Sequence, residues 1–135
     1  MTDTPPVSAS FEALIADDSA FARRYLAGIV HSLGGMVVGE AASGDCAVAL
    51  YARLRPDLVF LDITMPELDG VEALRRIRAG DAAARVIMVS ALGHKEAVWR
   101  AICLGARHFI TKPYTPDYAG LVIRSVLAGE AGGAP

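Results

Sequence analysis

The chain has 135 residues, 53% hydrophobic and 21% charged, with 13 Lys plus Arg against 15 Asp plus Glu, a net charge of −2 and a pI near 5.9. This is the size and composition of one globular domain. It lacks the basic face needed to wrap nucleic acid, is too apolar to remain disordered, and has no uninterrupted apolar run near the ~18 residues of a membrane span.

The opening MTDTPPVSAS has neither a basic leader nor an apolar stretch, which predicts no secretory signal and a cytoplasmic protein. Pro5 and Pro6 place residues 1–10 in a flexible N-terminal tail, and the small residues of 129–135 predict another tail at the C-terminus. The folded domain is expected over 11–128. A first strand is predicted at 13–16, followed by a helix with Ser19 ahead of it and Gly34 just after it. A second strand at 36–41 leads to a helix whose Ala47, Leu50, Tyr51 and Leu54 recur at i, i+3, i+4, i+7. Further strands are predicted at 58–61, 86–89 and 108–111, alternating with helices. The last helix opens on Thr115-Pro116, an N-cap and N1 pair, and carries the stripe Ala119, Val122, Ile123 and Val126. The strands are apolar on both faces, the mark of a parallel sheet covered on each side. Strand then helix, five times with short right-handed connections, is a doubly wound α/β sandwich. Cys46 and Cys103 lack the spacing of a metal or disulfide motif and read as reduced packing residues.

Function in such folds sits beyond the carboxyl ends of the strands. Asp17-Asp18 follow the first strand, Asp62 ends the third, Ser90 ends the fourth, and Lys112-Pro113 follow the fifth. Singly, each has a plain structural role: an Asp pair caps a helix, and a strand-end Asp, Ser or Lys is solvated surface. Together they do not. Three carboxylates at one edge repel one another and take up protons or recruit a cation. A cluster of oxygen donors without His or Cys suits Mg²⁺. With Lys112 neutralising phosphoryl oxygens, Ser90 hydrogen-bonding one of them and Asp62 attacking in line, the set describes a phosphoryl-transfer site. Lys112 is also one of only two lysines, with Lys95, among 13 basic residues.

The segments LIADD, LVFLDITMPELDG, VIMVSA and GARHFITKP, in this order and spacing, resemble the receiver domain of two-component response regulators, in particular its single-domain chemotaxis members. The resemblance covers the whole predicted fold. It implies a five-stranded parallel sheet in the order 2-1-3-4-5 with five helices, of the flavodoxin-like type. It implies Asp62 as the phosphoacceptor, with Asp17, Asp18, Asp62 and the backbone carbonyl of Thr64 holding Mg²⁺. Ser90, the backbone N–H of Ala91, and Lys112 would contact the phosphoryl group, with the Lys112-Pro113 bond cis. Ser90 and Phe109 would form the switch pair, and Thr64 and Leu92 would tune dephosphorylation. Val98, Trp99, Ile102, Phe109, Tyr114 and Tyr118 are the expected partner face, with Trp99 the candidate anchor.

The expected function is that of a stand-alone receiver without an output domain. It would be phosphorylated by a histidine kinase, reversed by a phosphatase, and would signal to a flagellar motor switch protein without touching nucleic acid or membrane. A phosphorelay shuttle that passes phosphate to a histidine phosphotransfer protein is the alternative. A Mg²⁺-dependent phosphatase of the haloacid dehalogenase type is more distant, because the second Asp it wants two residues after the first is Thr64 here. An FMN carrier fits worse still, since Asp17-Asp18 would repel the cofactor's phosphate. The chain is therefore read as a signalling protein that catalyses only its own phosphoryl transfer and dephosphorylation.

Overall fold

The computed structural model describes residues 10–129, so both expected tails, apart from their inner boundary residues, lie outside the described residues. Ten elements alternate without exception: β1 (Phe11–Ala16), α1 (Ala20–Ser32), β2 (Gly35–Ala41), α2 (Gly44–Leu54), β3 (Leu58–Asp62), α3 (Gly70–Gly80), β4 (Val86–Ser90), α4 (Lys95–Cys103), β5 (His108–Thr111) and α5 (Pro116–Leu127). The strands form one parallel sheet in the order β2-β1-β3-β4-β5, the order implied by the resemblance.

The period of two along the central strands divides the core between the two faces of the sheet. Leu14, Ala16, Val59, Leu61, Val86 and Met88 pack with Ala47 and Tyr51 of α2, Leu74 and Ile77 of α3, and Ala101 of α4. Their neighbours Ala13, Ile15, Leu58, Phe60, Ile87 and Val89 pack with Leu26, Ile29 and Val30 of α1 and with Val122, Ile123 and Val126 of α5. Helices therefore cover both faces, which is why β1, β3 and β4 read as continuous apolar runs. β2 and β5 depart from that expectation. They are the sheet edges and are only part-buried, with Met36 61% exposed.

Helix starts follow the sequence closely. Ser19, Ser43, Asp69 and Thr115 each accept a hydrogen bond from the backbone N–H three residues on, so four of the five helices begin on a side-chain cap. α4 is different: His94 stands at its N-cap without a side-chain cap, and Ala101 is its only buried residue. A short helix with so little holding it lies at the low-stability end of the fold. The expectation that Cys46 and Cys103 are packing residues fails, because both are free and exposed. In α2 the inward stripe is set by Ala47 and Tyr51, which turns Cys46 outward.

Candidate functional site

Parallel pairing brings the polar strand ends to one rim. β3 and β4 pair Asp62 with Val89, and β4 and β5 pair Ser90 with Thr111, so Asp62, Ser90 and Lys112 end on neighbouring strands at about one level. The Lys112 backbone N–H donates to the Ser90 carbonyl at 2.7 Å and that of Ile63 to the Val89 carbonyl at 3.0 Å, extending the ladder into the loops. The Asp17 N–H likewise donates to the Ala41 carbonyl at 2.9 Å.

The side chains converge as the sequence predicts. Carboxylate oxygens of Asp17, Asp18 and Asp62 all lie within 4.8 Å of one another. Asp17 and Asp62 are buried, 5% and 7% exposed, while Asp18 faces solvent. Lys112 Nζ donates to Asp17 Oδ2 at 2.9 Å and stands 3.6 Å from Asp62 Oδ2. Ser90 is 2% exposed at the same rim, and the Lys112–Pro113 bond is cis.

The electrostatics match this crowding. Burial, and then the negative charge of Asp17, push the Asp62 carboxyl up to about 6, with Asp18 adding to the rise. Lys112 and a hydrogen bond from the Thr64 backbone N–H oppose it. For Lys112, burial works against the charged form, but the hydrogen bond to Asp17 and the charges of Asp62 and Asp17 outweigh it and hold its pKa above the ordinary lysine value. One cation thus faces three acids. The remaining negative charge and the all-oxygen donor set fit a hard divalent ion, which accepts one or two carboxylates and keeps several waters.

The loop between β3 and α3 is held by two close approaches. A Cβ on Gly70 would stand 2.1 Å from the Asp62 carbonyl oxygen, and one on Gly44 would stand 1.9 Å from that of Leu68. Between these seats the chain turns tightly, with the Leu68 N–H donating to the Pro66 carbonyl at 2.7 Å and Glu67 at φ 67°. The sequence reading did not single out either glycine. Gly70 could have been suspected from its place in the Asp-Gly pair opening α3, whereas the contact of Gly44 with a loop more than twenty residues away leaves no local trace. The Thr64 side chain is exposed, and its backbone N–H already serves Asp62.

The predicted partner residues divide between a groove and its surroundings. Val98, Trp99, Ile102 and Phe109 line a groove of about 400 Å³ between α4 and β5, together with Ser90, Ala91, Leu92 and Thr111. Trp99 is 58% and Leu92 80% exposed there. Tyr118 lies apart on the outer side of α5, beside Leu121 and Arg124. Tyr114 turns toward α1, its ring 5.5 Å from that of Tyr25, whose hydroxyl donates to the Tyr114 carbonyl at 3.0 Å. Burial raises the Tyr114 pKa well above the usual phenol value. Only four of the six therefore share the groove, and that groove reaches Ser90 at the acidic rim.

Residues 13–121 match the family described as the response regulator receiver domain, and the chain belongs to it. It is 49% identical to the chemotaxis protein CheY of Bacillus subtilis (strain 168) over 104 residues, 77% of this chain and 87% of that protein. The CheY of Thermotoga maritima is 46% identical over the same length and coverage. Among solved structures, a CheX-CheY complex with BeF3 and Mg from Borrelia burgdorferi superposes with a TM-score of 0.83 at 41% identity, covering 86% of this chain and 88% of that one. The protein is a response regulator of the chemotaxis type. Among the described residues no helix is long and apolar enough to cross a membrane.

Proposed function

We propose that Asp62 accepts a phosphoryl group from a histidine kinase in a Mg²⁺-dependent step, and that the phosphorylated protein signals from the cytoplasm by binding a partner, a flagellar motor switch component. The observation that carries this reading is the convergence of three carboxylates and one lysine on a single rim, with Asp62 flanked by the charges of Asp17, Asp18 and Lys112.

Asp17, Asp18, Asp62 and the Thr64 carbonyl would hold the ion, which when bound supplies positive charge against the phosphoryl oxygens. The chain's own residues do the rest. Asp62, ionised above a pH of about 6, presents a carboxylate oxygen to phosphorus. An O–P bond forms as the P–N bond of the donor phosphohistidine breaks, and the electron pair leaves on the imidazole, which then takes a proton. Lys112, held by Asp17, places a compact charge beside the phosphoryl oxygens. The Ser90 hydroxyl and Ala91 N–H donate to others. A phosphoryl group brings about −1.5 to −2 charges and three strong acceptors to the rim. Ser90 is drawn toward them, and the groove it shares with Phe109 carries the change to Trp99 and α4, the least secured helix. Phe109 has no hydroxyl, so its packing transmits the signal.

Partner capture tests this reading. The phosphorylated protein is offered separately to a flagellar switch protein and to a histidine phosphotransfer protein. Phosphorylation-dependent retention by the switch protein is expected. Rapid loss of phosphate to the phosphotransfer protein, without stable binding to the switch component, would assign a relay role instead.

A further inference from the structure

The acidic pair is held in place by a residue outside the phosphoryl site. Asp17 uses every polar atom: its N–H donates to the Ala41 carbonyl, Oδ1 accepts from the Ser19 N–H at 2.9 Å, and Oδ2 accepts from Lys112. Its carbonyl accepts from Arg23 Nη1 at 2.5 Å, from the first turn of α1. Arg23 Nε in turn donates to Glu40 Oε1 of β2 at 2.8 Å. That carbonyl belongs to the peptide unit whose N–H is Asp18's. Its direction therefore fixes the Asp17–Asp18 peptide plane, and with it the direction in which Asp18 leaves the strand. No hydrogen bond to the Asp18 carboxylate is seen among the described residues, so the backbone alone aims it.

We propose that Arg23, braced by Glu40, is a positioning residue for the metal-binding pair and sets the Mg²⁺ affinity of the rim. This rests on the assignment of the rim as a Mg²⁺ site. The guanidinium suits the task because its planar fork bonds the carbonyl and the carboxylate in two fixed directions at once, which a lysine ammonium on a flexible stem does not do. Its side chain is 18% exposed, whereas Glu40 is 48% exposed. An ion pair so open to water adds little energy, and what Glu40 contributes is the orientation of Arg23. Groups that orient metal ligands typically change affinity by 10- to 100-fold when removed.

The experiment compares wild type with Arg23→Lys, Arg23→Ala, Glu40→Gln and, as a remote control, Tyr51→Phe, which removes the 2.6 Å bond to Asp81 between α2 and α3. Mg²⁺ affinity is measured by titration calorimetry, and the backbone amide resonances are recorded without metal. Both Arg23 variants are expected to bind Mg²⁺ about tenfold more weakly and to shift the amide resonances of Asp18 and Ser19. Glu40→Gln is expected to lose about two- to threefold, and Tyr51→Phe to match wild type. Mg²⁺ affinity within twofold of wild type in Arg23→Lys, or an equal loss in Tyr51→Phe, would overturn the proposal. A wild type that binds no Mg²⁺ would instead overturn the metal assignment, and the apo resonances would still report whether Arg23 sets the peptide.

Discussion

Replacing Asp62 by Asn removes the charge that the fold penalises most. Its carboxyl is pushed from the ordinary 3.8 up to about 6 by burial and by Asp17, so the native protein holds its proton more tightly than the unfolded chain does. Stability from this group is fully present below a pH of about 4 and is lost as pH rises through about 6. The full shift corresponds to about 3 kcal/mol at neutral pH. The open mouth of the rim admits water, and screening reduces the expected effect to ~1–2 kcal/mol. Asn keeps nearly the same shape and an acceptor for the Thr64 N–H, while Lys112 retains its 2.9 Å bond to Asp17. Urea unfolding with EDTA should show Asp62→Asn more stable than wild type by that amount at a pH near 7.5, with the gap closing toward pH 4. Mg²⁺ should then narrow the difference by stabilising wild type in proportion to RT ln(1 + [Mg²⁺]/Kd). A variant less stable than wild type without metal, or a gap independent of pH, would refute the reasoning.

Gly70→Ala forces a methyl to within 2.1 Å of the Asp62 carbonyl oxygen. It should lose about 1–3 kcal/mol in urea unfolding and slow phosphorylation of Asp62, because the backbone that must yield carries the proposed phosphoacceptor. Leu92 stands 80% exposed in the groove beside Ser90 and cannot orient water, so on the proposed reading the phosphorylated state should decay slowly. Leu92→Glu should speed the loss of phosphate measured by intact mass over time, and an unchanged decay would remove Leu92 from the tuning role. Trp99→Ala should leave stability within about 0.5 kcal/mol, since Trp99 is 58% exposed, and leave phosphorylation intact while weakening partner binding by more than about 1 kcal/mol. Equal loss of phosphorylation and binding would place Trp99 in the folding core.

Patterns written within a few residues are legible in the sequence. The short runs apolar on both faces, the caps Ser19 and Thr115, and polar residues just past strand ends define the sheet, the helix starts and the rim. What stayed hidden depends on neighbours far apart in the chain. The bond from Arg23 to the Asp17 carbonyl and its brace from Glu40 join α1, the β1 loop and β2, and no spacing rule links them. Gly44 matters because a distant carbonyl presses on it. Tyr114 follows the fifth strand as a partner-face residue would, yet its ring crosses to α1 because Tyr25 offers both a tilted ring contact and a hydroxyl for its carbonyl. The exposure of Cys46 follows from the helix stripe of Ala47 and Tyr51, against the general tendency of cysteine to be buried.

The rim is proposed to make Asp62 a Mg²⁺-dependent phosphoacceptor. Intact-mass measurement of wild type and Asp62→Asn, each incubated with acetyl phosphate with and without Mg²⁺, tests it most directly. One phosphoryl group is expected on wild type, only with Mg²⁺, and none on the variant. The same adduct on Asp62→Asn, or its formation without metal, would contradict the assignment.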